Sequence, residues 1–292
     1  MLVSRSNLAR LIGLLMALAL VAAACGGEAE GVDPDVSCEF GDLNLVNPAV
    51  LTVATGEPVF PPWMGVGDDN FDVPESKTGF EGALVYALAA ELGFSDDQVV
   101  WERTGFDEVI APGPKNWDFN IQQYSITEAR DQVVDFSVPY YTTRQALVTF
   151  ATSQFATATS IDDLKDAKLG AAIGTTSLDF VEDVIKPNTE VAVYDENVGA
   201  EAAMIAGQIE GLVVDLPTAY FVTAVQVADS VIVGQFEESA AAPDDYGMLF
   251  AEGNPLVSCI NAALDVLISD GKLQEFEDEW LTQDGAIPVI GG

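Results

Sequence analysis

A chain of 292 residues, 49% of them hydrophobic, is longer than one compact core usually holds, so two lobes or domains are expected around a well-packed interior. With 47 acidic residues against 11 basic ones, the net charge of −36 repels nucleic acid and anionic lipid surfaces and suits solubility in a saline medium. Histidine is absent, which excludes Ser-His-Asp and Cys-His catalysis and imidazole metal sites, and no EF-hand, Walker A or G-x-G-x-x-G spacing occurs, so neither metal nor cofactor is expected.

Residues 1–24 read as a secretory signal: Arg5 and Arg10 form the positive end, and 11–21 is an apolar run short for a bilayer. Ala22 to Ala24 then lead into Cys25. This resembles a bacterial lipobox, with Ala22 where leucine is usual, and implies lipid on Cys25; cleavage without lipid is the alternative. Residues 25–43 would then be a linker tethering the protein to the membrane. Cys38 and Cys259 are left as an even pair in an oxidising compartment, either bridged or as two buried thiols.

From about residue 50 strands and helices alternate, as in an α/β protein with mostly parallel sheets. Residues 50–54 form the first strand. Residues 79–92 read as a helix with Leu84, Leu88 and Leu92 on one face and Gly93 as its stop. Strands follow at 99–101 and 119–121. Ser160 with Asp163 opens a short helix, 168–173 is a strand, and Gly174 turns it into a helix near Thr175. Further strands are expected at 191–194, 211–214, 231–233 and 246–251, and two helices, 255–269 and 273–281, close the chain.

One segment is specific. Ser125, Ile126, Thr127 and Arg130, followed by Asp135, Phe136, Ser137, Pro139, Tyr140 and Tyr141, closely resemble the S-I-T-x-x-R…D-F-S-x-P-Y-Y segment of the family 3 bacterial extracellular solute-binding proteins, the polar amino-acid receptors of ABC importers. Gly79, Phe80 and Glu81 resemble that family's opening to its first helix, although Gly82 and Ala83 depart from its pattern. The resemblance runs in order from about Thr52 to Leu281. It implies a two-lobed, type II periplasmic-binding-protein-like fold with a hinge: 44–144 and 243–292 forming lobe one, 145–242 forming lobe two.

The residues suit such a role independently. An amino acid is a zwitterion, so its receptor needs paired donors for the carboxylate and an anion for the ammonium. Arg130 offers a planar fork of donors, whereas a surface ion pair is the ordinary fate of an arginine. Thr175 and Thr176 stand where a strand becomes a helix, a place for an anion or simply for an N-cap. Asp215 ends a strand on the side where α/β sheets hold ligands, and it also suits the N-cap of the next helix. The resemblance assigns Arg130, Ser125, Thr175 and Thr176 to the α-carboxylate and Asp215 to the α-ammonium. It puts Glu57 at the pocket wall, Phe60 and Phe106 around the ligand as aromatic walls, Trp63 as a further aromatic, and Gln122 or Gln123 as amide contacts. A buried Glu57 carboxylate would call for a donor or cation and repel an acidic ligand, which favours polar, amide-bearing or basic amino acids. The implied partners are a free amino acid, ABC permease subunits and, through lipid, the membrane; the protein is expected to be a monomer and no enzyme. A dehydratase-type enzyme using Glu57 as an acid and an amino-acid sensor ectodomain are the rival readings.

Overall fold

The computed structural model describes residues 37–65, 71–238, 240–281 and 286–291. The signal at 1–24, Cys25 and the linker up to residue 36 lie outside the described residues.

The first strand of the first lobe is β1 (Leu51–Thr55), whose five residues are all buried, because this strand lies inside a sheet covered on both faces. Next come α1 (Phe80–Glu91), β2 (Val99–Arg103), β3 (Phe119–Asn120), the short α2 (Glu128–Asp131) and β4 (Val134–Phe136). The expected leucine stripe of α1 is buried, and so are Phe80, Glu81, Val85 and Tyr86. This helix has almost no solvent face, so its apolar residues show little periodicity.

Two neighbouring strands then carry the chain across. β5 (Tyr141–Thr143) is separated by one residue, Arg144, from β6 (Gln145–Phe150), which already belongs to the second lobe. That lobe adds β7 (Leu169–Ala172), α3 (Thr176–Asp179), β8 (Ala192–Tyr194), α4 (Asn197–Ile205), β9 (Gly211–Asp215), α5 (Leu216–Phe221) and β10 (Ser230–Phe236). The return passes along β11 (Asp244–Tyr246), which pairs antiparallel with β5, Thr143 facing Asp244 and Tyr141 facing Tyr246. β12 (Leu249–Ala251) then joins the first sheet, α6 (Leu256–Ser269) and α7 (Lys272–Trp280) pack with α1, and β13 (Val289–Ile290) ends the described chain.

The first sheet has the order β2-β1-β3-β12-β4 and the second β13-β10-β6-β9-β7-β8. β1, β2 and β3 are parallel, as are β7, β8 and β9. Strands bordering the crossovers, β6 and β12, run antiparallel to their neighbours. The β5–β11 pair thus forms a two-stranded neck between lobes, and the chain passes between them once more between α7 and β13.

Three expectations need correction. The single strand expected over 246–251 is two strands in different sheets. At Gly247 a Cβ would lie 2.9 Å from Ile126 Cδ1, and this tight passage is where the chain turns from neck to lobe one. The last residues do not stay with lobe one, because β13 pairs with β10 and buries Ile290 in the second lobe's core. The linker does not extend to residue 43. Cys38 is bridged to Cys259 with S–S 2.04 Å, and Phe40 packs edge-on against Phe94 at 4.9 Å, so this stretch is part of lobe one.

The bridge closes a loop across a sequence separation of 221 residues. Replacing both cysteines by serine should lower unfolding stability by about 2–5 kcal/mol, checked by urea denaturation of lobe-one tryptophan fluorescence; an unchanged midpoint would show that the bridge contributes nothing. Glu201 on α4 is only 6% exposed, and burial pushes its carboxyl up to about 7. A carboxyl raised in the folded state gives its full stabilisation below its unfolded value and loses it as pH rises through about 7. Glu201→Gln should therefore raise Tm at pH 8 and leave it unchanged near pH 4, in a scan at both pH values; equal shifts at both would contradict the burial effect.

Candidate functional site

A cleft between the lobes is lined by Glu57, Phe60, Phe106, Gln123, Ser125 and Arg130 from lobe one, and by Thr175, Thr176 and Asp215 from lobe two. These candidate positions line one cavity, whereas Trp63 does not. Their environments differ.

Arg130 gets there through a local cap. Thr127 Oγ1 accepts from the Arg130 backbone N–H at 3.2 Å and starts the one-turn α2, which turns the arginine inward. Its side chain donates from Nη1 to the Ser125 carbonyl at 2.7 Å and from Nη2 to the Gly174 carbonyl of lobe two at 2.8 Å. The guanidinium lies 5.6 Å over the Phe106 ring, and that ring stacks on Tyr124 at 4.6 Å. Arg103 and Arg144 pair with Asp72 and Glu238, but among the described residues Arg130, 7% exposed, has no carboxylate within 4.0 Å. Burial lowers its pKa, opposed by the charges of Tyr124, Asp179, Asp244 and Asp215. A buried guanidinium with donors to spare fits an incoming carboxylate.

The facing turn of lobe two depends on Gly174, at φ +72°, where a Cβ would stand 2.4 Å from Asp107 Oδ1. Thr175 acts as an N-cap: its hydroxyl accepts from the Leu178 N–H at 3.1 Å and donates to the Ala172 carbonyl at 2.7 Å. Thr176 Oγ1 lies 3.2 Å from Ser125 Oγ across the cleft. Phe60 stacks on Phe221 of lobe two at 5.7 Å, so the lobes are closed on each other.

Asp215 follows from the end of β9. Burial, then the nearby Asp244, push its carboxyl up to about 7, while Tyr246, Gln145 and Arg130 pull it down. Its Oδ1 accepts from Gln145 Nε2 at 2.7 Å. A cation at this position would remove the cost of ionising it.

Other expectations change. Glu57 lines the cleft but is exposed, so it acts as a rim charge and the argument from a buried carboxylate does not apply. Trp63 is 1% exposed and packs among Phe80, Tyr141 and Tyr246, with Nε1 3.5 Å from Thr218 Oγ1; it belongs to the core and not to the cleft wall. Gln123 faces the cleft, yet its backbone N–H and Nε2 both donate to the buried Glu81 carboxylate. Glu81 also accepts from Tyr140, and burial pushes it up to about 7. Sequence reasoning met Glu81 only as part of a helix-opening motif. An acid in the first turn of an otherwise apolar helix was the available signal of its role under the cleft floor.

Sequence reasoning also missed Asp195, Glu196 and Asn197, which line the cleft just after β8. Their signal was position: they follow the carboxyl end of a parallel strand, where α/β sheets hold ligands. Burial and Asp195 raise the Glu196 carboxyl. The charged lining is therefore Glu57, Asp195, Glu196 and Asp215 against Arg130. No group of acidic or cysteine side chains able to hold a metal occurs among the described residues.

Comparison with known proteins agrees with this architecture. The L-cystine-binding protein TcyJ of Escherichia coli (strain K12) is 27% identical over 273 residues, covering 92% of this chain and 94% of the relative. The L-arginine-binding protein of Pseudomonas aeruginosa is 24% identical, covering 84% and 96%. The solved structure of an ancestral arginine-binding protein bound to glutamine superposes with a TM-score of 0.68 at 29% identity, covering 80% of this chain and 99% of that one. The sequence profile of the bacterial extracellular solute-binding proteins, family 3, matches residues 51–283, most of the chain, and the protein belongs to that family.

Proposed function

We propose that the protein captures a free amino acid in the interlobe cleft, outside the cell, and delivers it to an ABC-type importer. The observation that carries this reading is Arg130: a buried guanidinium, oriented by carbonyls of both lobes and without a carboxylate partner among the described residues. The α-carboxylate of the ligand supplies that partner, with Ser125 and Thr176 alongside, and its α-ammonium neutralises Asp215. Thr175 contributes chiefly by capping the helix that presents Thr176. A ligand engaging Arg130 and Asp215 together touches both lobes and favours the closed state.

For the ligand's side chain, three acidic residues remain once Arg130 and Asp215 are satisfied: Glu57, Asp195 and Glu196. They attract cationic or hydrogen-bonding groups and disfavour a second carboxylate, while Phe60 and Phe106 suit an alkyl stem or a planar guanidinium. Polar, amide-bearing and basic amino acids are thus the favoured class. Among the relatives, arginine and glutamine as named ligands fall in this class, whereas glutamate, named for another, does not. Binding without turnover is the reading, since Glu57, the acid a dehydratase on this scaffold would use, stands exposed at the rim. The protein works as a monomer held at the membrane by lipid on Cys25, the bridged segment at Cys38 marking where the tether meets the folded lobe.

Calorimetry tests the central contact with glutamine, arginine, lysine, glutamate and leucine as ligands. Arg130→Ala should cost about 2–5 kcal/mol of binding free energy, enough to abolish a measurable signal. Arg130→Lys should weaken binding by less, because a point charge does not replace the planar fork. Near-unchanged affinity in Arg130→Ala would remove the carboxylate role.

A further inference from the structure

Gln145 opens β6 where the first crossover strand enters lobe two, and it is 4% exposed. It lies opposite Asp215 in the β6–β9 register. Its Nε2 donates to Asp215 Oδ1 at 2.7 Å and to Asp244 Oδ2 at 2.9 Å, and Thr176 Oγ1 stands 3.4 Å away. Its Oε1 accepts from Ser177 Oγ at 2.7 Å. A primary amide has two N–H donors and one carbonyl. Here the donors serve the end of β9 and the start of β11, and the carbonyl serves the first turn of α3. Asp244 begins the second crossover strand and pairs with Thr143 of the first.

We propose that Gln145 is a positioning residue that fixes Asp215 and the Thr175–Ser177 turn relative to the paired crossover strands, so that ligand contact in lobe two is felt at the neck through Asp244. The inference rests on the reading of Asp215 as the partner of the ligand's ammonium. One amide holds two carboxylates close together that would otherwise repel, giving each a separate N–H. With Oδ1 held, the Asp215 carboxylate cannot turn freely, and a bound ammonium meets a group already oriented. Removing the amide frees both the ammonium contact and the turn that presents Thr176, although Gln145 does not line the described cleft.

A structural role alone would not produce a directed change in pH dependence. The groups acting on Asp215 are Asp244 and Tyr246 from β11, Tyr141 from β5, Gln145 from β6 and Arg130 from α2. The Gln145 bond favours the ionised carboxylate, whereas the Asp244 charge opposes it. Binding an ammonium requires Asp215 ionised, so affinity falls as pH drops through its pKa. That acid limb should move to higher pH when Gln145 is lost and to lower pH when Asp244 is neutralised.

The experiment is calorimetric titration of the full chain from pH 5 to 8 with the twenty common amino acids and L-cystine, followed by Gln145→Met and Asp244→Asn with the tightest of them. Gln145→Met should weaken binding tenfold or more at pH 7 and move the acid limb upward. Asp244→Asn should move it downward, with its fold checked by Tm. If Gln145→Met does not fold, Gln145→Asn, whose shorter amide cannot reach both carboxylates, decides by the same upward move of the limb. Wild-type binding with both variants unmoved overturns this proposal and leaves the amino-acid reading standing. A wild-type protein that binds none of the panel overturns both.

Discussion

Arg130 carries a full positive charge into a space where it is only 7% exposed, and the carbonyls that orient it come from both lobes. A charge so placed is costly unless it is compensated. The other two described arginines have carboxylate partners, and this one does not. In the proposed reading its compensation comes from the cleft. Much of the surrounding construction serves that requirement: the Thr127 cap that turns the residue inward, the Phe106–Tyr124 stack beneath it, and the glycine that lets the lobe-two turn come close.

The second lobe answers with the opposite charge. Asp215 is held against ionisation by burial and by Asp244, a balance that a ligand ammonium would reverse. In the proposed binding mode a zwitterion satisfies two groups at once, one in each lobe. On that proposal closure and binding would be a single event, because the two charges would meet their partners together only when the lobes approach. Two short paired strands carry the chain out to the second lobe and back before β13 returns to it, and the Gln145 amide sits at their lobe-two end.

Legibility in the sequence followed the local pattern. The β7–α3 turn was readable because Gly174 and the Thr175 cap announce a strand becoming a helix, and the Arg130 segment because its residue types and spacing are specific. β4, β5 and β6 were not anticipated; the first two are three-residue strands, too short to show alternation, and β6 is buried almost throughout. The split at Gly247 and the return of β13 to the second lobe are tertiary pairings, and neither leaves a mark in residue order. Glu57 and Trp63 show the limit of positional reasoning about a pocket. Both follow β1, yet one is exposed at the rim and the other is in the core. Gln145, Glu81 and Asp195 were hidden for a similar reason. Gln145 takes its role from Asp215 and Asp244, and Glu81 from Gln123 and Tyr140, partners far away in the chain, whereas Asp195 was marked only by its place after β8.

The account's central claim is that one zwitterion bridges the lobes through Arg130 and Asp215. A crystal structure of the protein with its tightest-binding amino acid tests it most directly. The predicted result is a closed molecule in which the ligand's carboxylate lies on the Arg130 guanidinium beside Thr176 and its ammonium on Asp215. A ligand bound with those ends reversed, or held in the cleft without contact to Arg130, would contradict it.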